Sequence, residues 1–430
     1  MLFAGRSRSK FGRLNSPVKS GRGVYVSKRD MAVGHQPHIV LYGLFGFGNT
    51  GNDATLKVTL DALRKLRPNA RFTVVAQQPG PVEAAHHVTS VAIRSERTKK
   101  SFLPRPLARI MREAERWAEA RTVLRSADCL LVPGTGILDD FCSTVMQHPY
   151  QMWKWCSAAR QVGASVKFVS IGAGPVERAW SRRLFRWSAR AADHRSYRDE
   201  ESRQFVRDEL GLDVGRDVVT PDLVFGLDVA VPALREGPVR TVGIGVMDYH
   251  TWRGAKDAQD DIYPTYMAKL ADFCTELLER GLSLHLLVGE TGDQPAVADL
   301  RMRLLERSPQ TAGAVTVASI QTLQDLCVEI GKTDMVVATR YHNIVSAMIC
   351  GRPAISIGYA AKNRAVMNEF GLKEYCQNIW DFDLATLRCQ FETLATDHHA
   401  KAKGMQEVSA RLKARVRDHL SAVMASLSPR

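Results

Sequence analysis

Two successive alternations of apolar strand and amphipathic helix, separated by a proline- and glycine-bearing stretch at 227–240, predict an α/β protein of two doubly wound domains. The length allows this: 430 residues suggest two to three domains at roughly 150 residues each, and two of about 200 also fit. So does the composition, since 45% apolar and 24% charged residues are ordinary for a chain with a sizeable core. The expected organisation is a basic tail at 1–35, an N-terminal domain at 36–230, a C-terminal domain at 231–383 and a helical tail at 384–430.

Charge and cysteine usage narrow the class. The net charge of +14 is uneven: residues 1–30 carry a surplus of seven Lys and Arg and residues 400–430 a surplus of five. A basic excess sitting in terminal segments fits a tether to an anionic membrane surface better than a nucleic-acid groove, and no basic-aromatic interleaving of the RNA-binding kind accompanies it. The eight cysteines show no CxxC or paired spacing, which points to reduced thiols and a cytoplasmic setting. No apolar run approaches the roughly 18 residues of a membrane span, and no signal-peptide core follows the basic start. Residues 1–35 lack hydrophobic periodicity and read as disordered; a transit-peptide-like segment and a true start at Met31 are the two alternatives.

The first alternation opens with a strand at 38–44 and a helix running to about 66. The loop between them contains Gly43, Gly46, Gly48 and Gly51, and 46–51 satisfies GxGxxG, so backbone can approach a phosphate or sugar closely. A nicotinamide-dinucleotide site is disfavoured, because the acid needed about 20 residues on is missing: no Asp or Glu lies between Asp61 and Glu83. Strands follow at 72–77, 129–133, 166–172 and 195–198, with helices near 105–126, 138–162, 178–192 and 199–210. Several of these strands end in glycine-bearing or polar turns, at 133–140, 172–177 and 196–202, as a ligand cleft requires. Asp139 and Asp140 sit together, but adjacent positions diverge and an acid at a helix start commonly serves the dipole, so no metal is expected.

The second alternation has strands at 241–247, 282–289 and 315–319, with helices at 263–280, 295–307 and 321–331. His285, inside an apolar strand, reads as a core histidine, whereas the polar and aromatic loop 248–254 is open to a site role. The most informative unit is 334–359, a strand, a helix and a strand. Arg340 lies at the carboxyl end of the first strand and His342 at the start of the helix, where about half a positive elementary charge is exposed. Guanidinium, imidazole and helix dipole converge on one point that suits an anion. A purely structural role is the alternative, with Arg340 pairing a neighbouring carboxylate and His342 capping a buried helix.

GLFGFGNTGNDATL, VPGTGILDDF, VSIGAGPV, SYRDEES, TPDLVF and ATRYHNIVSAMICGRPAISIGY, in this order and spacing, resemble the polysaccharide pyruvyl transferase family over most of residues 38–375. The resemblance implies two Rossmann-like domains facing a cleft, similar to glycosyltransferases of the B type. It also implies transfer of the enolpyruvyl unit of phosphoenolpyruvate to a sugar of an exopolysaccharide or cell-surface glycan, free or lipid-linked. A pyruvate ketal forms and phosphate leaves, with no cofactor. Arg340 and His342 match the family's Arg-x-His, and Ser196 to Asp199 its Ser-x-Arg-Asp. Arg198 and Arg340 would grip the donor carboxylate and phosphate, and His342 would be proton donor or phosphate partner. Gly48, Asn49, Gly51, Asp53, Gly134, Thr135, Gly136, Asp140 and Gly172 would line the acceptor side, and Lys362 makes the turn after the last strand cationic. The first loop departs from the family's GNxGDE, with Asn52 and Asp53 in place of its acids, and Asn343-Ile344 replaces Ala-Leu after the histidine. A nucleotide-sugar glycosyltransferase is the alternative enzyme, with Glu369 the one nearby acid for a ribose; a non-catalytic glycan-assembly subunit is the alternative from another class.

Overall fold

A computed structural model of the chain describes residues 36–95, 104–140, 143–230, 232–249 and 262–427. The tail at 1–35, Cys142 and residues 250–254 of the polar loop lie outside the described residues.

The N-terminal sheet contains β1 (His38–Tyr42), β2 (Arg71–Ala76), β3 (Thr89–Ala92), β4 (Cys129–Pro133), β5 (Ser165–Ile171), β6 (His194–Tyr197) and β7 (Val218–Val219). Their spatial order is β3-β2-β1-β4-β5-β6-β7, every pairing parallel. The order reverses between β1 and β4, and such a switch point opens a crevice at the carboxyl ends of the strands. The helices are α1 (Thr50–Leu66), α2 (Pro79–His86), α3 (Arg105–Leu124), α4 (His148–Val162), α5 (Ala179–Arg190) and α6 (Glu200–Asp208). β1 and β4 are buried throughout because helices cover both faces, which is why they read as unbroken apolar runs.

The C-terminal sheet repeats the plan with β8 (Thr241–Val246), β9 (Ser283–Val288), β10 (Val315–Val317), β11 (Met335–Ala338), β12 (Ala354–Gly358) and β13 (Cys376–Asn378), ordered β10-β9-β8-β11-β12-β13 and again parallel. Its helices are α7 (Ile262–Glu279), α8 (Gln294–Arg307), α9 (Leu323–Gly331), α10 (Tyr341–Ile349) and α11 (Ala361–Glu369). His285 is buried and bonded to Glu329 Oε2 and Thr316 Oγ1, both at 2.7 Å, as a core histidine should be.

Two expected elements differ. The helix at 138–162 begins only at His148, with Pro149 in its first turn; residues 134–138 are tied instead to the end of β5 through Gly172 N to Thr135 O (2.6 Å) and Leu138 N to Gly172 O (3.2 Å). The tail divides at Asp397 into α12 (Leu384–Thr396) and α13 (His398–Ala425). α12 packs on α7, where Arg388 pairs with Glu276, whereas α13 returns to the N-terminal domain. There Arg67 donates to Met424 O, Lys167 to Ser426 Oγ, and His419 Nε2 meets Ser196 Oγ at 2.8 Å. One apolar cluster therefore runs from Ile39 and Leu60 through Phe225 and Phe370 to Val416, spanning both domains. A second, with Trp155 and Phe185, lies between the N-terminal sheet and helices α3, α4 and α5.

Candidate active site

The C-terminal wall is built where β11 turns into α10. Arg340 occupies the position before the helix with extended backbone (φ −68°, ψ 136°), so its side chain leaves the sheet at the strand end. Its guanidinium is fully engaged: Nε and Nη2 donate to Asp293 at 2.8 and 2.7 Å, and Nη1 lies 3.0 Å from Glu290 Oε2. Asp293 is wholly buried and also accepts from the amides of Asp248 and Glu290. These bonds satisfy a carboxylate that could not be buried alone. Asn343 points inward, its amide packed against Gly245 and Gly289, where a Cβ would come within 2.1 and 2.9 Å of it.

The N-terminal wall comes from four loops. Asn49 caps α1 by accepting from Asn52 N (3.0 Å), Asn52 Nδ2 donates to Leu44 O (3.2 Å), and Asp53 Oδ1 accepts from Gly46 N (2.7 Å). An acid at 52 could not make the second bond, so the unusual GNTGND spelling braces its own loop. Arg198 leaves the end of β6 and spreads over the backbone of Gly172, where a Cβ would lie 2.7 Å from its guanidinium carbon; any side chain there would displace it. Nε of Arg198 lies 3.3 Å from Asp199, and Nη1 lies 3.6 Å from Asp222.

The two walls touch. Asn49 Nδ2 donates to Glu290 Oε1 (2.8 Å) and Thr50 Oγ1 to Gly289 O (3.2 Å). Tyr341 OH reaches Asp222 at 3.4 Å, and Arg198 sits 5.7 Å over the Tyr341 ring. His342 presses its imidazole onto Gly51, where a Cβ would stand 1.9 Å from Nε2, so only glycine admits the ring. Lys362 Nζ lies over the rings of Tyr341 (5.1 Å) and Tyr359 (5.4 Å) and has no carboxylate partner among the described residues.

This packing sets the electrostatics. Burial, then Lys362, Arg340 and Arg198, push the His342 imidazole down to about 3, so it is neutral at physiological pH. Neither ring nitrogen has a hydrogen-bond partner among the described residues. Burial and the Asp222 carboxylate hold the Tyr341 phenol well above its ordinary value, against the pull of Arg198. A neutral imidazole, an ammonium with no carboxylate partner among the described residues, one edge of a guanidinium and the first turn of α10 thus come together where the two domains meet. Among the described residues, no group of three or more His, Cys, Asp or Glu is arranged to hold a metal ion.

Arg198, His342, Lys362, Asn49, Gly51 and Gly172 meet here, with Gly136 beside Arg198 Nη2 and Gly48 at the rim near Thr291. Four other sequence candidates shape loops. Gly134 packs on Thr55, Thr135 adopts a left-handed backbone (φ 64°) and holds Gly172 N, and Asp53 is occupied by Gly46 N. Asp140 is buried, accepting from the amides of Glu177 and Arg178, so its carboxylate braces that loop and does not face the gap. Arg340 takes the carboxylate-paired role foreseen as its structural alternative. Glu369 is exposed and pairs with Arg411 (3.2 Å). Sequence reasoning missed Asp222, Glu290 and Asp293; the last two follow β9 in a glycine-bearing acidic turn, GETGD, a strand-end pattern that marks such a site.

Two parallel-sheet domains with a gap at their strand ends and a last helix returning to the first domain define a glycosyltransferase-B-like architecture. It is similar to the UDP-GlcNAc 2-epimerase from Neisseria meningitidis bound to UDP-GlcNAc (TM-score 0.57, 11% identity, 91% of this chain and 99% of that one). It is also similar to a putative UDP-N-acetylglucosamine 2-epimerase from Listeria monocytogenes (0.57, 13%, 92% and 98%) and to the trehalose-6-phosphate structure from E. coli bound with UDP-2-fluoro glucose (0.53, 12%, 91% and 98%). At these identities the likeness is one of fold. No match is found among curated protein sequences. The sequence model of the polysaccharide pyruvyl transferase family matches residues 49–360, and the chain belongs to that family. No helix among the described residues is long and apolar enough to cross a membrane.

Proposed function

We propose that this chain transfers the pyruvyl group of phosphoenolpyruvate to a sugar of an exopolysaccharide or cell-surface glycan, free or lipid-linked. A ketal forms and phosphate leaves. The observation that carries the reading is the neutral His342 set among Lys362, Arg340 and Arg198 at the start of α10. A dense dianion placed there meets the ammonium, the open edge of Arg198 and the free amides of the helix. It also reverses the field at His342, raising the affinity of the imidazole for a proton. The proton taken up can pass to the enol CH2 carbon, making it CH3, as one sugar hydroxyl adds to C2 and returns its proton to the imidazole; the second hydroxyl then displaces phosphate from the same carbon, its proton leaving with the phosphate. Arg340, held by Asp293 and Glu290, orients this wall and does not grip the donor.

Calorimetric and thermal-shift titration with phosphoenolpyruvate, beside a panel of nucleotide sugars, tests the proposal, since a ligand at 100 times its Kd stabilises the native state by about 2.7 kcal/mol. Stabilisation by phosphoenolpyruvate is expected. A response to nucleotide sugars alone would overturn the proposal in favour of glycosyl transfer.

A further inference from the structure

The helices α3, α4 and α5 cover one face of the N-terminal sheet and, as crossovers between parallel strands, begin at its carboxyl edge, the edge that carries the site. α3 is amphipathic in an unusual sense. Of its 20 residues only Ala108, Ala120 and Leu124 are buried, while Leu107 (50% exposed), Ile110 (66%) and Met111 (52%) form a second apolar stripe facing solvent. At the start of α5, Trp180 is 58% exposed, with Arg183 stacked on it at 4.9 Å. Trp117 of α3, Trp153 of α4 and Trp187 of α5 touch in series, at 5.5 and 6.0 Å, joining the three helices along this face.

The first two turns of α3, before its first acid at Glu113, and the whole of α5 carry basic charge only. α5 carries four arginines and no acid, and Arg105, Arg109 and Arg112 of α3, with Arg183 and Arg190 of α5, have no carboxylate partner among the described residues. Isolated exposed apolar side chains need no explanation, but an apolar stripe at helical spacing beside exposed tryptophan and unpaired arginine is a composition with one matching surface. Apolar side chains enter the acyl boundary, tryptophan sits at the headgroup level, and arginines meet lipid phosphates.

The geometry points to an anionic bilayer surface as the partner of this face, docked through Ile110, Met111 and Trp180 with Arg109 and Arg183 on the headgroups. Docked so, the domain presents the edge carrying its site to the membrane, within reach of an acceptor held on a lipid. This inference does not depend on the identity of the donor.

Full-length protein is sedimented with vesicles of phosphatidylcholine alone and of phosphatidylcholine mixed with phosphatidylglycerol. Binding to the mixed vesicles only is expected. Arg109→Glu with Arg183→Glu should weaken it by about twenty-five-fold or more, at roughly fivefold per basic residue. Ile110→Asp with Met111→Asp should abolish it with an unchanged melting temperature. Brominated lipid should quench wild-type fluorescence and quench Trp180→Phe less. Wild-type binding undiminished in both double variants, as terminal basic segments alone would give, overturns the inference; so does an absence of binding or of quenching.

Discussion

The contact between His342 and Gly51 carries the architecture of the site and can be measured without knowing any substrate. Gly51 lies in the first turn of α1 and its backbone is not left-handed, so alanine is conformationally acceptable there and gains up to about 0.5–1 kcal/mol of helix stability. A Cβ at that position would nevertheless stand 1.9 Å from His342 Nε2, and overpacking of this kind costs about 1–3 kcal/mol. Gly51→Ala should therefore be neutral to destabilising in the wild type. In a His342→Ala background the obstruction is gone and only the helix gain remains. The coupling between the two positions, read from urea unfolding of the four proteins, is expected at about 1–3 kcal/mol. A value below about 0.5 kcal/mol would mean that the ring does not rest on the helix start, and the proposed site would lose this one of its cross-domain contacts. Under the proposed reaction the same alanine swings His342 out of place, so phosphate release should fall by about 10²- to 10⁴-fold, the usual contribution of a positioned acid or base.

The depressed His342 gives a signed pH dependence. Between its ordinary 6.5 and about 3 the unfolded chain takes a proton that the folded chain refuses, so stability falls as pH drops through that window. Unfolding midpoints of His342→Ala should fall less between pH 7 and pH 4 than those of wild type; His419, pushed to about 4, contributes equally to both proteins. Arg340→Ala strands the buried Asp293 without its partner and should cost about 3–5 kcal/mol in urea unfolding, a loss that a merely ligand-gripping arginine would not show. Lys362→Ala breaks no ion pair among the described residues, so its stability should stay within about 0.5 kcal/mol of wild type while the thermal shift with phosphoenolpyruvate disappears. Asn49→Ala removes both the α1 cap and the bond to Glu290 and should cost about 0.5–2 kcal/mol.

The buried parallel strands were legible because burial on both faces leaves unbroken apolar runs: β1, β4, β5, β8, β9, β11 and β12 lie within a residue or two of where periodicity puts them. The edges were not. β3, β7 and β13 are two to four residues long and largely outside the core, too short and too polar to show a period. The site was legible as a set of strand-end turns, because close approach demands glycine, and Gly51 and Gly172 meet His342 and Arg198. What a sequence cannot display is which charges neutralise each other. Arg340 and Asp293 are 47 residues apart, and only the fold sets β9 and β11 on either side of β8 so that the turn after β9 faces the start of α10.

That pairing changes how the charge of the gap should be counted. Arg198 has Asp199 and Asp222 beside it, and Arg340 has Asp293 and Glu290, so neither guanidinium is a free positive charge. Their bonds instead fix direction. Arg198 is pinned flat over Gly172, and Arg340 holds Glu290 where Asn49 of the other domain can reach it. Free cationic character is left to Lys362 and the first turn of α10, both in the C-terminal domain and both against Tyr341. The ring of Tyr341 is shared with Arg198, and its hydroxyl with Asp222, across the gap. An anion drawn in by Lys362 is therefore met by an N-terminal wall already in register. Under the proposed function the arginines would act as alignment between two domains, and the charge that selects the donor would sit on Lys362, which no carboxylate among the described residues has claimed.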